Sequence, residues 1–209
     1  MRLLNVENLN LKDANVLYYP TFFSENEANT YFKNLYSKLK WQQDKIKVFG
    51  KTYDQPRLTA FFGTNNQPYS YSNITMFPQE FKGDILEIKN AIETELNIYF
   101  TSCLANLYRN GKDSNGWHAD DEKELGKNPI IASLTFGEER VFHFKHKHDK
   151  TLKKKIVLKH GSLLLMQGST QENWLHQIPK TTRKIGPRIN LTFRIIPQKN
   201  RVPSNSVLS

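Results

Sequence analysis

Two histidines and one aspartate are spaced so that they could bind a single metal ion. His118 and Asp120 lie two residues apart in Trp117–Asp120, and residues two apart on a strand face the same side. A second apolar segment, Trp174–Ile178, would carry His176 on its inward face. Two histidines and one carboxylate are a ligand set for iron that leaves coordination positions open. The alternatives are a polar turn for His118 and Asp120 and a hydrogen-bonded core histidine for His176.

A third segment, Arg188–Arg194, alternates strictly between polar and apolar residues, which predicts a β-strand. Two arginines on a face that points into the interior are costly unless they meet anions. A dicarboxylate co-substrate supplies two carboxylates, which guanidinium groups bind through paired hydrogen bonds. Asn106 and Tyr108, a same-face pair, could add hydrogen bonds to such a pocket. The alternative is a solvated strand face on a basic protein.

The overall charge favours a polyanionic partner. The 209 residues include 30 Lys and Arg against 20 Asp and Glu, a net charge of +10, which suits nucleic acid or an anionic membrane surface. The single cysteine, Cys103, excludes an internal disulfide and a cysteine-based zinc cluster and indicates a reducing compartment. No signal-peptide pattern and no membrane-spanning apolar stretch are found, so we expect an intracellular protein, cytoplasmic in a bacterium or nuclear in a eukaryote.

Two amphipathic helices are expected in the first half of the chain. Ser24–Glu27 has the form of a capping box, and apolar residues follow at helical spacing. A second helix is predicted to begin near Pro78, with Gly83 weakening its first turn. Its apolar stripe would consist of Phe81, Ile85, Ile88, Ile92 and Leu96.

Short strands dominate the rest of the chain. Residues 41–73 have the alternation and the Gly and Pro punctuation of short hairpins. Further strands are predicted at 102–108, 130–136, 140–146, 155–158, 162–166, 174–178 and 188–196. Many short strands with few helices predict a sandwich, jelly roll or barrel. We expect one domain over residues 1–199 and disorder over residues 200–209.

The order Asn106-x-Tyr108, His118-x-Asp120, His176 and Arg188-x-Asn190-x-x-x-Arg194 resembles the AlkB family of Fe(II)- and 2-oxoglutarate-dependent dioxygenases. The resemblance covers about residues 45–196, and its most specific pieces are 117–122 and 187–194. It implies a double-stranded β-helix, a jelly roll of the α+β, mainly β class. N-terminal supporting helices and a nucleotide-recognition lid of hairpins at about 41–75 would complete this fold.

The resemblance also implies a role for each residue of these motifs, with Fe(II), 2-oxoglutarate and O2 as cofactor and co-substrates. Iron would be held by His118, Asp120 and His176. Arg188 would pair with the distal carboxylate of 2-oxoglutarate. The remainder of that pocket would consist of Arg194, Asn190, Asn106 and Tyr108.

The members that repair duplex DNA are the most similar, which implies a set of substrate contacts. Val48, Phe49 and Gly50 would form a hairpin tip that fills the gap left by a flipped base, with Arg57 close behind, and the flanking lysines would contact phosphates. The alternative is an ordinary hairpin with Phe49 in the core. Base contacts are implied for Tyr69 and Tyr71, which would stack on the flipped base, and for Asp121 and Glu122, which would favour a cationic methylated base.

We therefore expect oxidative demethylation of 1-methyladenine and 3-methylcytosine in DNA, with release of succinate and formaldehyde. Alkylated DNA would be the partner, with duplex DNA favoured and single strands possible. We expect no membrane partner and a monomeric enzyme. The first alternative keeps the chemistry and changes the substrate to RNA or tRNA. Hydroxylation of protein side chains and a catalytically silent nucleic-acid-binding module are the more distant alternatives.

Overall fold

The computed structural model describes residues 4–48, 50–65, 69–71 and 74–197. Within these ranges it contains sixteen strands, three α-helices and one 3-10 helix at Lys123–Leu125. The helices are α1 (Glu25–Lys38), α2 (Asp84–Leu96) and α3 (Thr170–Asn173). The strands are β1 (Glu7–Asn8), β2 (Asn15–Tyr19), β3 (Lys45–Val48), β4 (Lys51–Asp54), β5 (Leu58–Gly63), β6 (Tyr69–Tyr71), β7 (Ile74–Met76), β8 (Gln79–Glu80), β9 (Ser102–Tyr108), β10 (Asn115–His118), β11 (Ile131–Gly137), β12 (Arg140–His146), β13 (Lys153–Leu158), β14 (Leu163–Gln167), β15 (Trp174–Ile178) and β16 (Arg188–Arg194).

Helix α1 begins as its sequence predicts. The Ser24 hydroxyl accepts a hydrogen bond from the Glu27 amide, and the Glu27 carboxylate accepts one from the Ser24 amide, so the capping box is complete. Ala28 and Leu35 are buried on the inner face of the helix and pack into the core. The local capping signal therefore fixes the start of α1, and the apolar spacing fixes the face that it buries.

Helix α2 begins later than its sequence predicts, which corrects the expected start near Pro78. Gln79–Glu80 instead forms β8 beside β5, and Gly83 precedes the helix with a φ of 55°. This left-handed backbone conformation is accessible to glycine at little cost, so Gly83 marks a boundary rather than a weak first turn. Ile85, Ile88 and Ile92 are buried as expected.

Two sheets form a sandwich. The large sheet has eight strands in the order β1-β2-β14-β11-β16-β9-β5-β8, and the small sheet has four in the order β10-β15-β12-β13. One apolar core lies between the large sheet and helices α1 and α2, and a second lies between the two sheets. This mainly β architecture agrees with the predicted sandwich or jelly roll, and the two sheets enclose the residues of the candidate site.

The segment predicted as a lid contains two hairpins, β3 with β4 and β6 with β7. Strand β5, between them, instead joins the large sheet, which differs from the expectation of hairpins throughout 41–73. Gly50 lies in an exposed turn with a φ of 78°. Phe49, the side chains of Val48, Tyr69 and Tyr71, and the tail 200–209 lie outside the described residues. In the described part of the chain, no helix has the length and apolar character needed to cross a bilayer.

Candidate metal centre and co-substrate pocket

Strand pairing brings the two candidate histidine ligands together. His118 ends β10 and lies directly opposite His176 of β15, with the ring centroids 4.2 Å apart. Asp120 lies in the loop after β10, so the expectation that one strand presents both His118 and Asp120 is wrong in its geometry. One ligand atom from each of the three residues nevertheless lies within 4.8 Å of the others. The fold therefore assembles the predicted triad from two strands and one loop.

The charge states of the triad suit a divalent cation. Burial lowers the pKa of His176 to about 3, and burial also lowers the pKa of His118, so both rings are neutral at pH 7. Burial opposes ionisation of Asp120, but Arg194 and the two histidines outweigh it and lower the pKa of that carboxyl to about 2. Two neutral imidazoles and one carboxylate are the protonation states in which these groups bind a metal.

The tautomer of His118 is fixed by its neighbours. Nδ1 lies 2.8 Å from the Gly116 carbonyl oxygen, which can only accept, so Nδ1 carries the proton. Nε2 therefore keeps its lone pair, and the Asn115 side-chain amide donates to it at 3.1 Å. The nitrogen that would bind the metal is thus held unprotonated before any metal arrives, and the triad fits an Fe(II) ion.

Arg188 has the features of a carboxylate receptor. It is 1% exposed, and its Nη2 donates to the Thr135 hydroxyl at 2.8 Å. Nε and Nη1 have no hydrogen-bond partner among the described residues. The guanidinium carbon lies 5.2 Å from the Tyr108 ring centroid, and burial lowers the pKa of Arg188 to about 10. A buried cation with two unsatisfied donors fits a site for an anion such as a carboxylate.

The remaining predicted pocket residues are aligned by the pairing of β9 with β16. Tyr108 lies opposite Arg188 and Asn106 lies opposite Asn190, and all seven residues of β16 are buried, which excludes the solvated strand face. Arg194 Nη2 donates to Asp120 Oδ1 at 2.6 Å. The arginine at one end of β16 thus contacts the triad, and Arg188 lies at the other end.

One pocket unites these groups. It encloses about 470 Å³ including its open mouth. Its lining includes all the residues predicted to bind iron and 2-oxoglutarate, namely Asn106, Tyr108, His118, Asp120, His176, Arg188, Asn190 and Arg194. The candidate metal triad and the buried Arg188 therefore line one space, which would bring a metal ion and a co-substrate close together.

Comparison with known proteins decides the family. The family model described as the 2OG-Fe(II) oxygenase superfamily matches residues 15–194. The Homo sapiens protein named alpha-ketoglutarate-dependent dioxygenase alkB homolog 3 is 43% identical over 192 residues, which cover 88% of this chain and 66% of that protein. The Homo sapiens DNA oxidative demethylase ALKBH2 is 33% identical over 188 residues, which cover 85% of this chain and 72% of that protein. The chain belongs to the AlkB family of 2OG-Fe(II) oxygenases.

A solved structure supports the AlkB-family fold. The structure titled "The structure of OsALKBH1" superposes with a TM-score of 0.64 at 15% identity, covering 91% of this chain and 100% of that one. This likeness concerns the fold, and it agrees with a jelly-roll oxygenase. The chain spans slightly less than two thirds of the alkB homolog 3 proteins, 64% of the Bos taurus protein and 66% of the human one. Family membership implies Fe(II), 2-oxoglutarate and O2, and the His-Asp-His group fits that iron.

Two acidic residues follow Asp120 in this AlkB-family chain, in different environments. Asp121 is exposed, and its carboxylate accepts from Lys147 Nζ at 2.9 Å. Glu122 is half-buried, and its Oε2 has no hydrogen-bond partner among the described residues. Burial raises the pKa of Glu122, and the nearby Asp120 raises it further. Their predicted contacts with a base remain predictions.

Arg57 lies in the pocket wall and not on an exposed face. It is buried, its Nε donates to Asn106 Oδ1 at 2.8 Å, and its Nη1 donates to Asn115 Oδ1 at 3.2 Å. Asn106 belongs to the predicted co-substrate pocket, and Asn115 contacts His118 of the triad. Arg57 therefore connects the start of β5 to the co-substrate pocket and to the triad. Its predicted role in substrate binding stays a prediction.

Several residues that support the site were not found from the sequence. Ser133 and Thr135 of β11 bond to Asn190 and Arg188, respectively. Their signal is present, because they are the two polar residues of an otherwise apolar strand and lie two apart. Gln171 was also missed, although its side chain accepts from the Asp120 amide at 3.0 Å.

Proposed function

We propose that this protein removes N-methyl groups from bases in DNA by oxidative demethylation, with 1-methyladenine and 3-methylcytosine as substrates. The observation that carries the proposal is the joint pocket, in which the triad and the buried Arg188 share one space. The relative named DNA oxidative demethylase ALKBH2 supports the reaction, and the match covers 72% of its length. The relative named alkB homolog 3 supports the use of 2-oxoglutarate.

The protein binds and orients the reactants. When bound, Fe(II) would supply the activation of O2, of which one oxygen atom enters succinate as 2-oxoglutarate loses CO2 and the other hydroxylates the methyl group, which then leaves as formaldehyde. Arg188 would hold the distal carboxylate with its cationic guanidinium, of which Nε and Nη1 are unsatisfied within the described chain. Arg194 holds the Asp120 carboxylate at 2.6 Å and would lie close to the other end of the co-substrate. Burial of these groups excludes water and strengthens each contact.

The outer face of the small sheet supports a nucleic-acid partner. The exposed Trp117 lies beside the candidate ligand His118, and Lys145 Nζ lies 4.3 Å from the Trp117 ring centroid. Lys153 and Lys155 are exposed on the adjacent β13, opposite Lys145 and His143. None of the four strands contains an aspartate or glutamate. Aromatic and cationic side chains without acids suit bases and phosphates.

The acids after Asp120 support a methylated base over an unmodified one. Methylation at a Watson–Crick ring nitrogen makes adenine or cytosine cationic, and a nearby carboxylate attracts that charge. Glu122 Oε2 has no partner within the described chain, and burial holds the pKa of the carboxyl above its usual value. A cationic base beside Glu122 would favour the ionised carboxylate. The base would reach this position by leaving the helical stack, as enzymes that modify bases require.

The hairpin β3–β4 supports a preference for duplex DNA. All side chains of β4 are exposed, and the turn between the two strands contains the exposed Gly50 with a φ of 78°. Lys45 and Lys51 are exposed on this hairpin and could contact phosphates. We propose that Val48 and Phe49 enter the gap left by the flipped base. Tyr69 and Tyr71 would stack on that base. A monomer would perform the reaction.

The test uses an oligonucleotide with one 3-methylcytosine, as a duplex and as the single strand, with Fe(II), 2-oxoglutarate and ascorbate. Intact mass spectrometry should show loss of about 14 Da that depends on 2-oxoglutarate. Asp120→Asn is the control, because it keeps the shape and removes the ligand charge. No loss from either strand, in protein that converts 2-oxoglutarate, would contradict the DNA substrate and favour RNA or protein. Binding without conversion of 2-oxoglutarate would indicate a silent binding module.

A further inference from the structure

The three candidate metal ligands are held in two different ways. His118 and His176 are fixed by the pairing of β10 with β15, where they lie opposite each other. Asp120 is outside any strand, so sheet hydrogen bonds do not hold its backbone. Its carboxylate accepts a hydrogen bond from Arg194, a contact that holds the side chain and not the backbone amides of the loop. Something else must therefore fix the loop that follows β10.

Gln171 of the short helix α3 contacts that loop. Its side-chain oxygen accepts a hydrogen bond from the Asp120 amide at 3.0 Å, and its side-chain nitrogen lies 3.5 Å from Met166 Sδ. The residue is 1% exposed, so neither bond competes with water. Helix α3 ends at Asn173, directly before the strand that carries His176. The amide of one ligand is thus bonded to the element that leads into another.

Lys147 joins the same two segments at a second point. Its Nζ donates to the Gln171 carbonyl oxygen at 2.8 Å and to the Asp121 carboxylate at 2.9 Å. Its backbone amide donates to the Asn173 carbonyl oxygen at 2.7 Å. Adjacent residues of the loop, Asp120 and Asp121, are therefore tied to α3 by neighbouring contacts. Two such contacts restrict rotation of the loop as well as its displacement.

We propose that Gln171 and Lys147 act as positioning residues that set the Asp120 carboxylate against the two histidines before metal binds. We refer to these two side chains as the loop clamp. Gln171 bonds to the backbone of the loop and Lys147 bonds to the Asp121 side chain, so the loop clamp acts on Asp120 through the loop that carries it. Its loss would let Asp120 adopt geometries that do not match the histidines, and metal affinity would fall. The inference rests on the metal centre of the proposed function.

The first experiment measures metal affinity, with Co(II) alone as the probe. Gln171→Met keeps the length and volume of the side chain and removes the acceptor for the Asp120 amide. Co(II) titrated anaerobically into metal-free protein, followed by visible absorption, should bind about 10- to 100-fold more weakly than to wild type. Gln167→Met is the matched control, since Gln167 contacts Asn15 and lies outside the loop clamp. Its Co(II) affinity should equal that of wild type.

The second experiment separates positioning from folding. Lys147→Met removes the contacts to Asp121 and Gln171 from a partly exposed site. It should weaken Co(II) binding, as Gln171→Met does. The melting temperature of the metal-free variant should stay close to that of wild type. Lys147→Arg keeps the cation and should restore affinity. Wild-type Co(II) affinity in both Gln171→Met and Lys147→Met would overturn the loop clamp alone. A wild-type protein that binds no Co(II) would instead overturn the metal centre itself.

Discussion

His118 and His176 lie directly opposite each other across paired strands, with their ring centroids 4.2 Å apart. The Phe142 ring stacks on His176 at 5.2 Å, and the Gly116 carbonyl fixes the His118 ring. The side-chain geometry of two ligands is thus set by ordinary sheet pairing and packing. The third ligand lies outside the sheets and depends on individual side-chain hydrogen bonds from Gln171 and Arg194, which makes it the more sensitive part of the site.

Removal of a triad side chain should abolish both metal binding and demethylation. His176→Ala and Asp120→Ala each leave two ligands, too few to retain iron in a site that must also keep positions open. The measurement is bound metal by elemental analysis together with conversion of the 3-methylcytosine oligonucleotide. His148→Ala, a histidine in the turn after β12 and outside the triad, is the control and should behave as wild type. Full activity in either triad variant would disprove the ligand assignment.

The stability of metal-free protein should decrease as the pH falls from 7 towards 4. The pKa of His176 is about 3 in the folded protein and about 6.5 when unfolded, so between these values the unfolded chain binds more protons. Each such proton changes the free energy of unfolding by up to about 1.4 kcal/mol per pH unit. Thermal melts of chelator-treated protein should show this slope, and His176→Gln should show a shallower one. Equal slopes would place the His176 pKa near its usual value.

Part of this site could be predicted from the sequence because Arg188–Arg194 alternates strictly between polar and apolar residues, whereas the ligand set and the residue roles came from the resemblance to the AlkB family. The predicted strands 102–108, 140–146 and 174–178 match β9, β12 and β15 at both ends. Patterns of period two report which residues share a face, so Arg188 and Asn190 were correctly placed together. Asp120 departed from the prediction because β10 ends at His118, and nothing in a two-residue spacing shows where a strand stops.

The contacts that the sequence could not reveal are those between distant uncharged groups. Gln171 and Asp120 are 51 residues apart, and no local pattern marks a glutamine in a four-residue helix as the partner of a particular amide. The late start of α2 has a similar cause, because pairing of β8 with β5 overrides the helical tendency before Gly83. Tertiary contacts decide such cases, and propensity does not.

Loss of the Arg188 side chain should raise the concentration of 2-oxoglutarate that the enzyme requires. Removing charge-assisted hydrogen bonds to a carboxylate costs about 2–3 kcal/mol, equivalent to about 30- to 150-fold in KM. Arg188→Ala should show this shift, measured as succinate formation over a range of 2-oxoglutarate concentrations. Arg188→Lys keeps the charge without the paired geometry and should be intermediate. An unchanged KM in Arg188→Ala would remove this residue from the co-substrate site.

Neutralising the exposed lysines of β13 should weaken binding of DNA regardless of its sequence. Lys153→Ala with Lys155→Ala removes two cations from the outer face of the small sheet. The slope of the logarithm of the DNA-binding constant against the logarithm of the salt concentration should become shallower, by about one for each lysine that contacts a phosphate. Fluorescence anisotropy at several salt concentrations measures this slope. Lys33→Ala with Lys38→Ala, on helix α1, is the matched control and should leave it unchanged. A wild-type slope in the β13 variant would place the DNA elsewhere.

Shortening Phe49 should impair repair of duplex DNA more than repair of single strands. A base leaves the duplex only if its stacking and pairing are replaced, and an aromatic wedge replaces the stacking, whereas a single strand needs no such compensation. Phe49→Ala should therefore lower the duplex rate and leave the single-strand rate close to wild type, measured with the same 3-methylcytosine sequence in both forms. The matched control is Phe77→Ala, because Phe77 is 74% exposed and lies outside the β3–β4 hairpin. It should leave the ratio of the two rates unchanged.

Equal losses on both substrates in Phe49→Ala would show that this side chain supports the fold or the pocket. The preference for duplex DNA would then have to come from another surface.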